Sequence, residues 1–155
     1  MFLVAALGTG CSGHTAKNDL AGFSFESSRE DLEKQGFACK EAVDDFKLSC
    51  TNLDWAGSVL GKDVRGLRIG ISEKRGHSHI TASLVAPPTT LGEVVEMQSS
   101  IDRMYTRLKD QDIVNGAVVT SFWSRPDGST IKLVVFPGIP GMTKTTASIV
   151  ALSPG

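Results

Sequence analysis

Apolar and polar residues alternate with a period of two in recurrent short stretches of the second two-thirds of this chain, which reads as antiparallel strands with one face buried. Leu67, Ile69 and Ile71 alternate with Arg68, Gly70 and Ser72, and Ile80, Ala82, Leu84 and Ala86 repeat the pattern after a turn at Lys74-Arg75-Gly76. Further strands are predicted over 118–124, 130–136 and 145–152, the first two joined by a turn at Arg125-Pro126-Asp127-Gly128. The intervening stretch breaks this period. Pro87-Pro88 ends the sheet, Thr90 with Glu93 forms a capping box, and Val94, Met97, Ile101, Met104, Tyr105 and Leu108 recur at helical spacing, predicting one long helix over 90–110. A shorter helix is expected over 27–36, capped by Ser27 and Glu30 and stopped by Gly36.

Between that short helix and the first alternating strand lie Cys39 and Cys50. If Asp44-Asp45 is a tight turn, residue 43 pairs with 46 and 41 with 48, and Cys39 falls directly opposite Cys50. Opposite residues in an antiparallel pair hold their Cβ atoms about 4.5–5.5 Å apart, which small adjustments bring within disulfide reach. A bridge closing so short a loop contributes about 3 kcal/mol on the chain-entropy account, and it persists in an oxidising compartment. Two reduced, buried thiols are the competing reading. The segment 51–63 is expected to be a long connection carrying Leu53, Trp55, Val59 and Leu60.

The fold class expected is thus α+β, two helices packed on antiparallel meander sheet(s) in the order α-β-β-β-β-α-β-β-β, with one sheet face under the helices. A chain of 155 residues has room for one such domain. Sixteen Lys and Arg against seventeen Asp and Glu, interspersed along the whole length, argue against nucleic-acid binding, which draws on a basic surface.

The chain begins with an apolar run, Met1 to Leu7, closing on Gly8-Thr9-Gly10-Cys11-Ser12. Such a run is the hydrophobic part of an export signal with its processing site. Its end resembles the lipobox of bacterial lipoproteins, where small residues precede a Cys that is acylated and becomes the new N-terminus. The resemblance implies lipidation of Cys11, a membrane anchor at that residue, and, with Ser12 in place of Asp, routing to the outer membrane. The expected division is a signal segment over 1–10, the lipidated Cys and a flexible tether over 11–22, and a single domain over 23–155. No Lys or Arg precedes the apolar run, as expected if translation starts upstream of Met1 or this copy is truncated. The competing reading of the run is a buried N-terminal strand.

Catalytic chemistry is not expected. His77 and His79 would share one face of a strand and chelate a metal together, but a lasting site needs a third ligand, and His14 lies in the tether. No metal and no cofactor are therefore predicted. The serines occur in no Gly-x-Ser-x-Gly turn, and paired acids such as Glu30-Asp31 and Asp44-Asp45 suit a helix start and a turn. Two loops carry more apolar surface than a loop requires. Phe136 to Met142 is stiffened by two prolines and presents Ile139 and Met142, and the 51–63 connection presents Trp55. These three residues are the candidates for partner contact, unless they fold back as lids on the core.

The order of elements, the lipobox-like start and the disulfide resemble small envelope lipoproteins with β-lactamase-inhibitor-like or outer-membrane-assembly-lipoprotein-like domains. That resemblance covers about residues 25–153. It implies a non-enzymatic envelope protein that binds another protein in the periplasm as a scaffold or accessory factor. The alternative is an inhibitor of a hydrolase, a lysozyme or β-lactamase, inserting its 136–142 loop. A third reading, an envelope enzyme using His77 and His79, ranks below both.

Overall fold

The computed structural model describes residues 18–43, 46–72, 77–115, 118–139 and 141–155. Helix α1 spans Arg29–Lys34, and strands β1 (Ala38–Val43), β2 (Phe46–Val59), β3 (Lys62–Ser72) and β4 (His79–Leu84) follow. Helix α2 (Leu91–Asp102) leads into two short strands, β5 (Thr106–Arg107) and β6 (Ile113–Asn115), and then β7 (Val118–Ser124), β8 (Thr130–Phe136) and β9 (Thr146–Leu152). All nine strands form one antiparallel sheet in the order β1-β2-β3-β4-β9-β8-β7-β5, with β6 also paired to β7. The class is α+β. Two meanders meet where the last strand, β9, pairs with β4.

Alternation explains the burial. Ile131, Leu133 and Val135 on β8 and Ala147, Ile149 and Ala151 on β9 are buried, whereas Thr130, Lys132, Val134, Ser148 and Val150 between them are not. The ladders carry the buried set across the sheet in one row, Trp123, Ile131, Ala151, Ile80, Ile69, Cys50 and Cys39. Both helices lie over that row. Gln98 of α2 donates to Ser121 Oγ at 2.8 Å, and Arg29 of α1 pairs with Glu41 of β1 at 2.9 Å. Leu32, Val94, Met97 and Ile101 contribute the helices' share of the core.

The hairpin of β1 and β2 has the expected register, with Val43 opposite Phe46, Glu41 opposite Leu48 and Cys39 opposite Cys50. Cys39 and Cys50 form a disulfide across it, Cα to Cα 4.1 Å. Asp44 and Asp45 lie outside the described residues, as does the turn at Lys74-Arg75-Gly76.

Four expectations need correction. The 51–63 segment is not a loop, because β2 continues to Val59 and turns on Leu60-Gly61 into β3 at Lys62. Both turn residues have positive φ, +50° and +73°, the mirror-image turn whose twist matches the strands, so Gly61 is the enabling residue. The strand is interrupted between Asn52 and Ala56, where Asn52 Oδ1 accepts from the backbone N–H of Asp54 and Trp55, and Gly66 stands opposite the bulge at φ +83°. Helix α2 stops at Asp102, well short of 110, since residues 106–107 pair with β7 and Leu108 N–H bonds the Phe122 carbonyl. Without these pairs β7 would end as an open edge.

Helix α1 is capped by Ser28, whose Oγ accepts from Asp31 N–H, in place of Ser27. The Thr90–Glu93 capping box of α2 is present as expected. Finally, the ordered domain begins before Phe23. Leu20 and Asp19 are buried, and Asp19 Oδ2 accepts from Phe25 N–H at 2.8 Å while its carbonyl accepts from Arg125 at 2.6 Å. Residues 18–22 thus close over the core, which a small polar composition conceals.

Candidate functional site

The fold leaves three surfaces with features beyond those a packed domain needs. The first is the sheet face away from the helices. Phe122, Lys132, Val150, Thr81 and Arg68 form one row across it, and Val134 and Phe136 lie beside them on β8. No helix lies on this face among the described residues. Lys132 sits 5.7 Å from the Phe122 ring, so the row combines apolar area with positive charge.

The second is the loop between β8 and β9. Phe136, Ile139 and Met142 are 52%, 55% and 79% exposed and do not fold back on the core. The loop is held by its own hydrogen bonds. Thr143 N–H and Met142 N–H reach the Ile139 carbonyl, Ile139 N–H reaches Thr143 Oγ1 at 2.9 Å, and Gly138 N–H reaches Thr145 Oγ1 at 3.1 Å. A Cβ at Gly138 would overlap the Thr143 carbonyl, so only glycine permits this close approach. Pro140 lies outside the described residues.

Trp55 does not stand with these residues. It is half-buried beside the Asn52 bulge, its ring edge-on to Phe23 at 6.1 Å and packed over Gly57. It serves as a lid on the core more than as a presented anchor. Trp123 is fully buried, its indole N–H donating to Asp102 at 2.7 Å.

Different elements hold the two histidines of the 77–79 segment. His77 Nδ1 bonds the Ser153 carbonyl at the C-terminal end, and the His79 ring packs over Gly70 and edge-on to Phe46 at 4.9 Å. Among the described residues no three His, Cys, Asp or Glu side chains are grouped to hold a metal. Burial, and then the neighbouring Lys132, hold the His79 imidazole below its ordinary value near 6.5. The folded state therefore favours neutral His79, and the unfolded chain binds the extra proton as pH falls. Stability is complete above about 6.5 and is lost progressively below it. Urea midpoints measured from pH 7.5 to 5 should fall less steeply in His79→Gln than in the parent, and identical slopes would refute this role.

The third surface is a cleft of about 620 Å³ where α2 ends, formed by the 102–109 segment and the 124–126 turn. Arg103, Arg107, Lys109 and Arg125 line it, with Asp102 as its one acid. Arg107 is fixed against Asp112 at 2.8 Å and Asp102 at 3.7 Å, its guanidinium over the Trp123 ring at 5.4 Å. Arg125 is fixed by the Asp19 carbonyl and lies over Tyr105 at 5.9 Å. Sequence reasoning missed this site. The only linear signal is the closeness of Arg103, Arg107 and Lys109, which Asp102, Asp110 and Asp112 mask.

Cys11 lies outside the described residues, and no helix among the described residues is long and apolar enough to cross a membrane. Comparison with family models, with curated proteins and with solved structures finds no match to this chain.

Proposed function

We propose that this chain is an exported lipoprotein, anchored through Cys11 at the periplasmic face of the outer membrane, that binds another envelope protein as a scaffold or accessory factor and performs no chemistry. The observation that carries this reading is the uncovered sheet face. Antiparallel sheets tolerate water on one side, but Phe122, Val134, Val150 and Phe136 put aromatic and branched apolar groups among its Lys, Arg and Thr residues. The Cys39–Cys50 disulfide supports export, since it is stable where thiols are oxidised. Two helices on one side of a meander suit the small inhibitor-like and assembly-lipoprotein-like domains that the order of elements resembles.

A second reading has its own observation. The described residues of the 136–142 loop are apolar and bonded to their own segment, as a segment inserted into a hydrolase cleft would be, because part of the ordering cost is met before binding. A photo-crosslinking amino acid placed in turn at Phe122, Val134, Ile139 and Met142 separates the two. Crosslinks to one envelope protein from 122 and 134, retained in the Ile139→Ser/Met142→Ser variant, are the expected result. Crosslinks from 139 and 142 alone would replace the scaffold by the inhibitor, and none from any position would refute both.

A further inference from the structure

We propose that the cleft at the end of α2 binds a phosphate-bearing small molecule, such as a phosphomonoester or diphosphate. Three features converge on this ligand class. The first is charge. Four cations line the cleft against a single lining acid, Asp102, on a chain whose formal total is −1. A phosphomonoester carries about 1.5–2 negative charges near neutral pH and suits a cation-rich wall of this kind.

The second is availability. Arg107 is spent on its two carboxylates, but Arg103 and Lys109 are exposed and make no ion pair among the described residues. Arg125 donates to the Asp19 carbonyl and makes no ion pair among the described residues. The third is preorganisation. Arg125 is clamped between the Asp19 carbonyl and the Tyr105 ring, and the β5–β7 pairing fixes Arg107 beside Trp123, so the walls need little ordering on binding. A volume of about 620 Å³ exceeds what one inorganic phosphate fills, leaving room for an organic part against Tyr105.

This site shares no residue with the open-face row proposed above as the binding surface, although Ser124 of the cleft stands two residues from Phe122. The cleft lies at the Ser124–Thr130 end of the β7–β8 ladder and the 136–142 loop at the other, about 20 Å away at strand spacing. Occupancy of one does not require the other.

The test is calorimetric titration of the full 155-residue chain, carrying Cys11→Ser so that no acyl group contributes, with inorganic pyrophosphate at low ionic strength. Co-sedimentation with phosphatidylcholine vesicles, with and without phosphatidic acid, runs in parallel. Saturable pyrophosphate binding is expected, weakened at least about tenfold in Arg103→Ala/Lys109→Ala and restored by Arg103→Lys/Lys109→Arg. Arg68→Ala, on the opposite face, should bind as the parent does. Recruitment to phosphatidic acid vesicles alone, lost in the same double variant, would keep the site and assign the phosphate to a lipid headgroup. Both substituted side chains are exposed, so an unchanged melting temperature shows that folding is intact. No binding to either probe, or binding that the double variant retains, overturns the proposal.

Discussion

Replacing Trp123 by Ala is expected to lower the free energy of unfolding by about 3–5 kcal/mol, the range for truncating a large buried aromatic side chain. The residue is fully buried near the end of β7, opposite Ile131, beside the segment where α2 ends. Its loss opens a cavity, removes the surface on which the Arg107 guanidinium rests, and leaves Asp102 without its indole donor. Because a domain of this size is stable by only about 5–15 kcal/mol, the variant should be close to marginal at 37 °C. Trp123→Phe separates the contributions. It keeps much of the ring but lacks the N–H, and should lose less than Trp123→Ala, because the exposed Asp102 carboxylate takes water in place of the indole donor. Urea unfolding followed by far-ultraviolet circular dichroism measures both, and a parental midpoint in Trp123→Ala would show that the helix–sheet contact is not what holds the fold.

Removal of the disulfide is the second large effect. The bridge spans a sequence separation of 11 between the edge strand β1 and its neighbour β2, and on the chain-entropy account its loss costs about 3 kcal/mol. For a domain of this length that corresponds to a fall of roughly 10 °C in melting temperature. The Cys39→Ala/Cys50→Ala variant and the parent in excess dithiothreitol should fall by similar amounts, with residual differences reflecting the packing of Cys50, which is fully buried. Because β1 is an edge strand among the described residues, loss of the bridge should loosen β1 first, and hydrogen exchange at residues 38–43 should accelerate more than at β8. Equal melting temperatures with and without reductant would contradict this.

Alternation was the most legible feature, and its success has a plain cause. On β8 and β9 the core-facing positions are all apolar and the polar residues fall only at the positions alternating with them, so the strand limits follow within a residue or so. The second half of β2 offered no such signal. Its Asn52 side chain replaces ladder bonds at a bulge, and its turn is Leu60-Gly61, lacking the Asn or Asp that usually marks a mirror-image turn. In α2 the apolar spacing of Met104, Tyr105 and Leu108 fits a helix as well as the observed path, and the decision lies with β7, whose edge takes 106–107 as a partner.

The candidate surfaces show the same division. Ile139 and Met142 were readable because two prolines and glycines frame a loop with nowhere to bury them. The cleft at the end of α2 was not, because Arg125 arrives from a different hairpin and two of the acids near Arg103 and Lys109 in sequence, Asp102 and Asp112, pair with Arg107. Charge counted along a chain does not report how charge is sorted in space.

The central claim is export with lipidation, and the mass of the protein recovered from bacterial membranes tests it most directly, measured intact and after alkylation with and without reduction. The account predicts a chain beginning at an acylated Cys11, with two thiols, those of Cys39 and Cys50, alkylated only after reduction. An unprocessed chain retaining Met1, with three thiols alkylated without reductant, would contradict it.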